Sequence, residues 1–207
     1  MSPSVPAIFI ADAVGLDFLN SVATPVDVPV DWIDGGAGLL GWLDQARLVP
    51  RATLDAIRER ALPGELDNVA AQARDLREWF RSFVREHKGR PLTPAELPEL
   101  DPLNLLLERD TKYTRVVVRG LEPGSRLDLA PMRRWRSPES LLQPIGDALA
   151  ALLVEEDFSY LKACEGPACT LLFVDHTRAH TRRWCSMEIC GNRAKQAAHR
   201  NRLKEQP

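Results

Sequence analysis

The chain of 207 residues contains four cysteines, all within 27 residues, in the order Cys164-x4-Cys169-x15-Cys185-x4-Cys190. Two close pairs on either side of a spacer let each short loop turn both sulfurs toward one ion, and four thiolates form a closed tetrahedral set for zinc. The four-residue loops are wider than the commonest two and within the usual range. Two disulfides, or four unrelated buried thiols, are the alternatives; a cytoplasmic setting disfavours the first and the clustering disfavours the second. Cys164, Cys169, Cys185 and Cys190 are therefore expected to hold one structural Zn2+. Four protein ligands leave no open position for a water, which argues against hydrolytic chemistry at the metal. A segment of about 45 residues builds little core alone, so binding is expected to supply folding free energy on the order of 10 kcal/mol.

The residues between the ligands suggest how they are held. Glu165-Gly166-Pro167-Ala168 reads as a turn, residues 170–175 (TLLFVD) as a strand, and residues 177–184 as its return toward Cys185. Cys190 is expected to open the final helix, where unpaired amides and the positive dipole end favour a thiolate. A knuckle, a hairpin and a helix carrying the last ligand make a treble-clef arrangement.

The same segment is basic. Residues 160–207 carry nine Lys/Arg against four Asp/Glu, while residues 1–159 carry 18 against 25, so a net charge of −2 conceals an acidic front and a basic tail. A polyanion is the natural partner for such a tail. Arg178, Arg182, Arg183, Arg193, Lys195, Arg200, Arg202 and Lys204 are candidate nucleic-acid contacts, joined by Asn192 and Gln196, whose amides can read adenine edges. A solvated face, or docking of the tail on the acidic front, is the competing explanation. Asp175-His176, His180, Asn192 and His199 hold the residue types of a His/Asn nuclease site. The four cysteines occupy the place where such a site keeps its catalytic metal.

The residues around the second cysteine pair carry a resemblance. Trp184-Cys185-Ser186-Met187 followed by Cys190-Gly191-Asn192-Arg193 resembles the CGNR zinc-finger family, and Leu16-Asp17-Phe18-Leu19-Asn20-Ser21 resembles the LDFxNT-type element that opens the ABATE domain preceding that finger. Ser21 stands where threonine is usual and keeps the hydroxyl. The resemblance implies a mainly helical front domain, a treble-clef finger, and a role in stress-linked bacterial transcription.

The elements that must position these residues follow from periodicity. Helices are expected over 14–24, 35–49, 51–60, 65–88, about 94–108 and from Ser137 to about Asp157, with an extended loop around Pro25 and Pro29. Thr93-Pro94-Ala95-Glu96 has the pattern of a capping box. Residues 112–119 and 126–130, separated by Glu122-Pro123-Gly124-Ser125, read as a β-hairpin. The expected class is α+β, mostly α, in two touching units: a helical domain over 1–158 with a small hairpin, and the finger over 159–207.

Asp17 and Asn20 lie three apart on an otherwise apolar helix, so they either bind a ligand, with Arg77 or Arg81 as complement, or join a buried network. The front domain is thus a candidate site for a small-molecule or protein signal. The glycines at 35, 36 and 38 lack the Gly-Lys-Ser/Thr of a phosphate loop, and no catalytic residue is assigned. At 44% hydrophobic and 27% charged the chain reads as globular. With no apolar run near 20 residues and no basic leader, it is expected in the cytoplasm and away from membranes.

Overall fold

In the computed structural model, residues 6–24, 28–120 and 124–196 are described. Helix α1 (Val14–Leu19) encloses Leu16, Phe18 and Leu19 completely and stops earlier than its apolar spacing suggested. The chain leaves the helix because Asn20 is used elsewhere and the Ser21 carbonyl accepts the Trp32 N–H at 2.8 Å. Val22–Ala23 (β1) then pairs antiparallel with Val30–Asp31 (β2), so the expected loop around Pro29 includes a short ladder. Residues 25–27 lie outside the described stretches.

Helices α2 (Gly36–Gln45), α3 (Arg51–Arg60) and α4 (Glu65–His87) fall where periodicity placed them. The buried stripe of α4 runs through Val69, Ala73, Arg77, Phe80 and Val84, each about one turn from the next as 3.6-residue spacing requires. Thr93 and Glu96 form the expected capping box, but the segment it opens is a 3-10 turn (Pro94–Leu100) followed by α5 (Asp101–Leu107). Pro98 has no N–H to give an α-helical ladder, which explains the break. The strands β3 (Lys112–Arg119) and β4 (Arg126–Arg133) pair from Lys112–Arg133 to Arg119–Arg126, so β4 continues past the expected Ala130. A 3-10 turn at Pro138–Leu141 leads into α6 (Leu142–Glu155), whose first turn accommodates Pro144.

Helix α1 is the keystone of the packing, lying against α6, α4 and the finger. Gly15 makes the α6 approach possible: a Cβ there would stand 2.7 Å from the Ala148 carbonyl oxygen. Beyond α6 a turn at Phe158–Tyr160 feeds β5 (Leu161–Ala163), which pairs antiparallel with β6 (Leu172–Val174). Leu161, Leu172, Phe173 and Val174 are buried in the same apolar cluster as Leu16 and Phe18. Among the described residues the finger therefore has no core of its own.

Two polar residues of α1 secure this arrangement. Asn20, 1% exposed, donates its side-chain amide to the Leu172 carbonyl at 2.8 Å and accepts the Leu172 N–H at 2.9 Å. It acts as a substitute strand for the free edge of β6. Asp17 accepts the N–H groups of Ile10 and Ala11 on one carboxylate oxygen, both at 3.0 Å, and holds the segment that reaches the finger. That segment contributes the Ala11 carbonyl to the Val174 N–H at 3.0 Å. Arg77 complements Asp31 through bonds of 2.7 and 2.8 Å, with Ser21 Oγ at 3.0 Å. Burial works against the Asp31 charge, yet the guanidinium and its hydrogen bonds hold the carboxyl below its ordinary pKa. Arg81 contacts the Leu19 carbonyl. The anticipated arginine partner of Asp17 is thus committed to a different carboxylate.

Asn20→Ala should strand both backbone groups of Leu172 in the core, and chemical denaturation of the zinc-loaded protein is expected to register a loss of about 2–4 kcal/mol. Asn68→Ala, on the exposed side of α4, is expected to cost less than about 0.5 kcal/mol. Desolvation raises the Asp17 pKa from 3.8 to about 6. The folded chain then keeps a proton that the unfolded chain has released, so this group's contribution to stability is lost as pH rises through about 6. Asp17→Asn, which keeps an acceptor without the charge, should accordingly gain roughly 1–2 kcal/mol on the wild type between about pH 5 and 7.5.

Candidate metal centre and basic surface

The fold brings the four cysteines together. One ligand atom from each of Cys164, Cys169, Cys185 and Cys190 lies within 4.8 Å of the others, and the Cys169 and Cys185 sulfurs are 3.8 Å apart. A tetrahedral zinc with bonds of about 2.3 Å has sulfur–sulfur edges of about 3.8 Å. The residues fit the ion. Cys164 and Cys169 occupy the loop between β5 and β6, closed by the Cys164 N–H on the Leu171 carbonyl at 2.9 Å. The N–H groups of Gly166 (3.4 Å) and Cys185 (3.3 Å) point at Cys164 Sγ, as donors to a thiolate do. Gly166 lies close to the ligands: a Cβ there would stand 3.0 Å from both Cys169 Cβ and Cys190 Sγ, a tight contact that the cluster would have to accommodate.

The electrostatics of the cluster call for a cation. The Cys169 thiol is drawn down to about 5 by its hydrogen bond from Cys185, and that same contact together with burial pushes Cys185 up. Burial raises Cys190 to about 12. Burial and the neighbouring sulfurs thus oppose ionisation of Cys185 and Cys190 beside a Cys169 thiolate. A divalent ion reverses that balance and makes four clustered thiolates compatible. The centre fits one structural zinc.

Two local expectations differ from the structure. The partner of β6 is β5, which precedes Cys164, and residues 177–184 form no strand. Cys190 sits in a wide π-type turn (Met187–Gly191), where the N–H groups of Cys190 and Gly191 share the Ser186 carbonyl; the chain is α-helical over 192–196.

The return segment needs no strand because a buried charge organises it. Asp175 is fully enclosed and accepts Lys162 Nζ at 2.7 Å, Thr177 Oγ1 at 2.6 Å and N at 3.1 Å, and the Arg182 N–H at 2.8 Å. Burial opposes its ionisation, but these donors outweigh it and hold the carboxyl far below the usual range. Sequence reasoning did not identify Lys162 or this role of Asp175; a carboxylate closing the apolar run TLLFV was the available signal. The neighbouring histidines are engaged as well. His180 stacks on Tyr160 with centroids 3.6 Å apart, and His176 pairs with Glu156 at 2.7 Å. His199 lies outside the described residues.

Arg182, anticipated as a nucleic-acid contact, turns inward. Its guanidinium bonds Asp12 at 2.5 Å, the Trp184 carbonyl at 3.0 Å and the Ile10 carbonyl at 3.3 Å, contacts the Cys185 carbonyl, and lies 4.3 Å over the Phe173 ring. It joins the second cysteine pair to the segment before α1. Arg178, Asn192, Arg193, Lys195 and Gln196 are exposed, as is Arg183, which pairs with Glu165 at 2.6 Å and lies over Trp184. Arg200, Arg202 and Lys204 lie outside the described residues. Asp17 and Asn20, the candidate ligand residues, are engaged with backbone as described above. The front domain does contain a cavity of about 530 Å3, lined by Asp12, Gly15, Arg47, Arg133, Asp147 and Glu156 among others.

Metal analysis of the purified protein is expected to find about one zinc per chain, with a thiolate-to-metal charge-transfer band when cobalt replaces it. Cys185→Ser should lower metal content and expose the β5–β6 amides to hydrogen exchange. Chelation should act in the same direction.

Family models place this architecture among known chains. One described as "CGNR zinc finger" matches residues 160–203, and one described as ABATE, "Putative stress-induced transcription regulator", matches residues 12–156. No curated protein matches the chain significantly. The second match covers well over half of the sequence and the first holds all four cysteines: the chain belongs to the ABATE family and carries a CGNR zinc finger.

Proposed function

We propose that this protein is a transcription regulator that contacts nucleic acid through a treble-clef finger built on the four cysteines. The carrying observation is the outward face of the last described helical turn: Asn192, Arg193, Lys195 and Gln196 are exposed, with only Ala194 half-buried. Docking on the acidic front domain does occur, but through β6, Arg182 and Asp12. The two competing roles for the basic segment therefore divide between different residues. Arg178, Arg183, Trp184 and Met187 line a groove of about 600 Å3 on the same finger, and an arginine-flanked indole is a surface on which bases stack.

In this reading residues 1–158 and 159–207 are two functional units sharing one core, and the protein works in the cytoplasm without a catalytic residue. Among the described residues no helix is long and apolar enough to cross a membrane. The front domain is the place for a small-molecule or protein signal. Its cavity includes Asp12, the carboxylate on which Arg182 of the finger rests, so occupancy there has a direct route to the metal centre.

Fluorescence anisotropy with a short DNA duplex should show affinity falling steeply as salt rises. Lys195→Ala with Arg200→Ala and Arg202→Ala should reduce the salt slope by up to about three while zinc content stays constant. Absence of binding at low salt, or a slope unchanged in the triple variant, would remove nucleic-acid contact from the proposal and leave a finger that serves only to join protein surfaces.

A further inference from the structure

The β3–β4 hairpin has one face that none of the described residues covers. Strand alternation puts Thr114, Val116 and Val118 beside Pro131, Leu129 and Leu127, their register partners. Val116, Val118, Leu127 and Leu129 are 58%, 66%, 75% and 65% exposed. The opposite face holds Arg115, Arg119, Arg126 and Asp128, with Arg119 paired to Asp128 at 2.7 Å, while on the apolar face the charges are confined to its base, where Lys112 stands beside Arg133. Its Val117, Asp128 and Ala130 are half-buried. The division into an apolar and a charged side is the pattern of an antiparallel sheet that packs on one side. A two-stranded hairpin with one bare apolar face is at best marginally stable in water. At its base Arg133 clamps Asp110 and Asp147, and Lys112 reaches Asp147 at 2.7 Å, so the hairpin is held firmly in place with the face turned outward.

We propose that this face is a homodimer interface, in which the Val116/Val118/Leu127/Leu129 surfaces of two copies of the chain stack on one another. Charge placement favours a second copy. With every charge of these strands between Arg115 and Asp128 on the far side, two identical faces meet about a two-fold axis without opposing like charges, as an isologous interface requires. The chain's own remaining segments are unsuited to cover it: residues 1–5, 25–27, 121–123 and 197–207 supply Met1, Val5, Val26, Leu121 and Leu203 as large apolar side chains, widely scattered.

Geometry sets the expected strength. Eight-residue strands give a face about 27 Å long, and stacked sheets pack about 10 Å apart. Two such faces bury on the order of 1,000 Å2 in total, the lower end for a specific interface, which corresponds to a dimer with a dissociation constant in the micromolar range. The inference stands whether or not the finger binds DNA. It does not use the finger's residues.

Sedimentation velocity of the zinc-loaded full chain from about 1 to 200 µM should show a monomer–dimer equilibrium. Val118→Glu with Leu127→Glu, facing positions on the apolar side, should weaken the dimer at least about 100-fold with helical circular dichroism and zinc content unchanged. Val118→Thr with Leu127→Thr keeps strand propensity and should weaken it at least about tenfold. Arg115→Glu, on the other face, should leave the dimer intact. A wild-type chain that stays monomeric throughout, or a dimer that survives both double substitutions, would overturn the proposal. So would a monomer that instead co-sediments with phosphatidylglycerol vesicles, which would assign the face to a lipid surface.

Discussion

The arrangement of this protein depends on one buried amide. Asn20 meets both backbone groups of Leu172, so the free edge of β6 is completed by a side chain from the front domain. A carboxamide is suited to this because it presents one donor and one acceptor with the spacing of a peptide group. Leaving those two groups bare in the core would cost several times the net worth of an ordinary hydrogen bond. The finger is thereby held in one orientation. Its basic helical turn faces outward because β6 faces in.

Around that contact the finger achieves order with little apolar material. Its strands are three residues each and belong to the core of the larger domain. The rest is organised by charge: four thiolates about a divalent ion, Asp175 enclosed by Lys162, Thr177 and the backbone of Arg182, and the Arg182 side chain spanning to Asp12. Each of these pairs is expensive to bury singly and stable when complete. The metal, the internal carboxylate and the inter-unit arginine therefore behave as one cooperative system.

The outer surface carries what the core does not use. Among the described residues an exposed basic turn and an exposed apolar hairpin face lie on this surface, one beside the four cysteines and one clamped at its base by Arg133. The proposed nucleic-acid contact and the proposed symmetric interface are mutually consistent, since two-fold dimers match two-fold sites. The cavity between α1, α6 and the Asp12 segment adds a point where a signal could bear on the seam between the units.

Much of this was legible in the residues alone. Cysteine spacing identified the metal ligands, because short loops between ligand pairs are a local property of the chain. Helical periodicity located α2, α3 and α4, and the Thr93–Glu96 pattern located its capping box, again because each depends on neighbours within a few residues. Long-range pairing escaped. Nothing near Asn20 indicates a strand edge 152 residues away, nothing near Arg182 distinguishes it from the solvated Arg178, and nothing near Asp31 marks it as the partner of Arg77. The same limitation assigned β6 a partner on the wrong side in sequence. Residue type and local spacing determined which chemistry is present. Which basic side chains face solvent, which polar groups bind the units together and which apolar face is left bare were decided only by tertiary structure, because desolvation is charged against the whole folded surface and not against a stretch of chain.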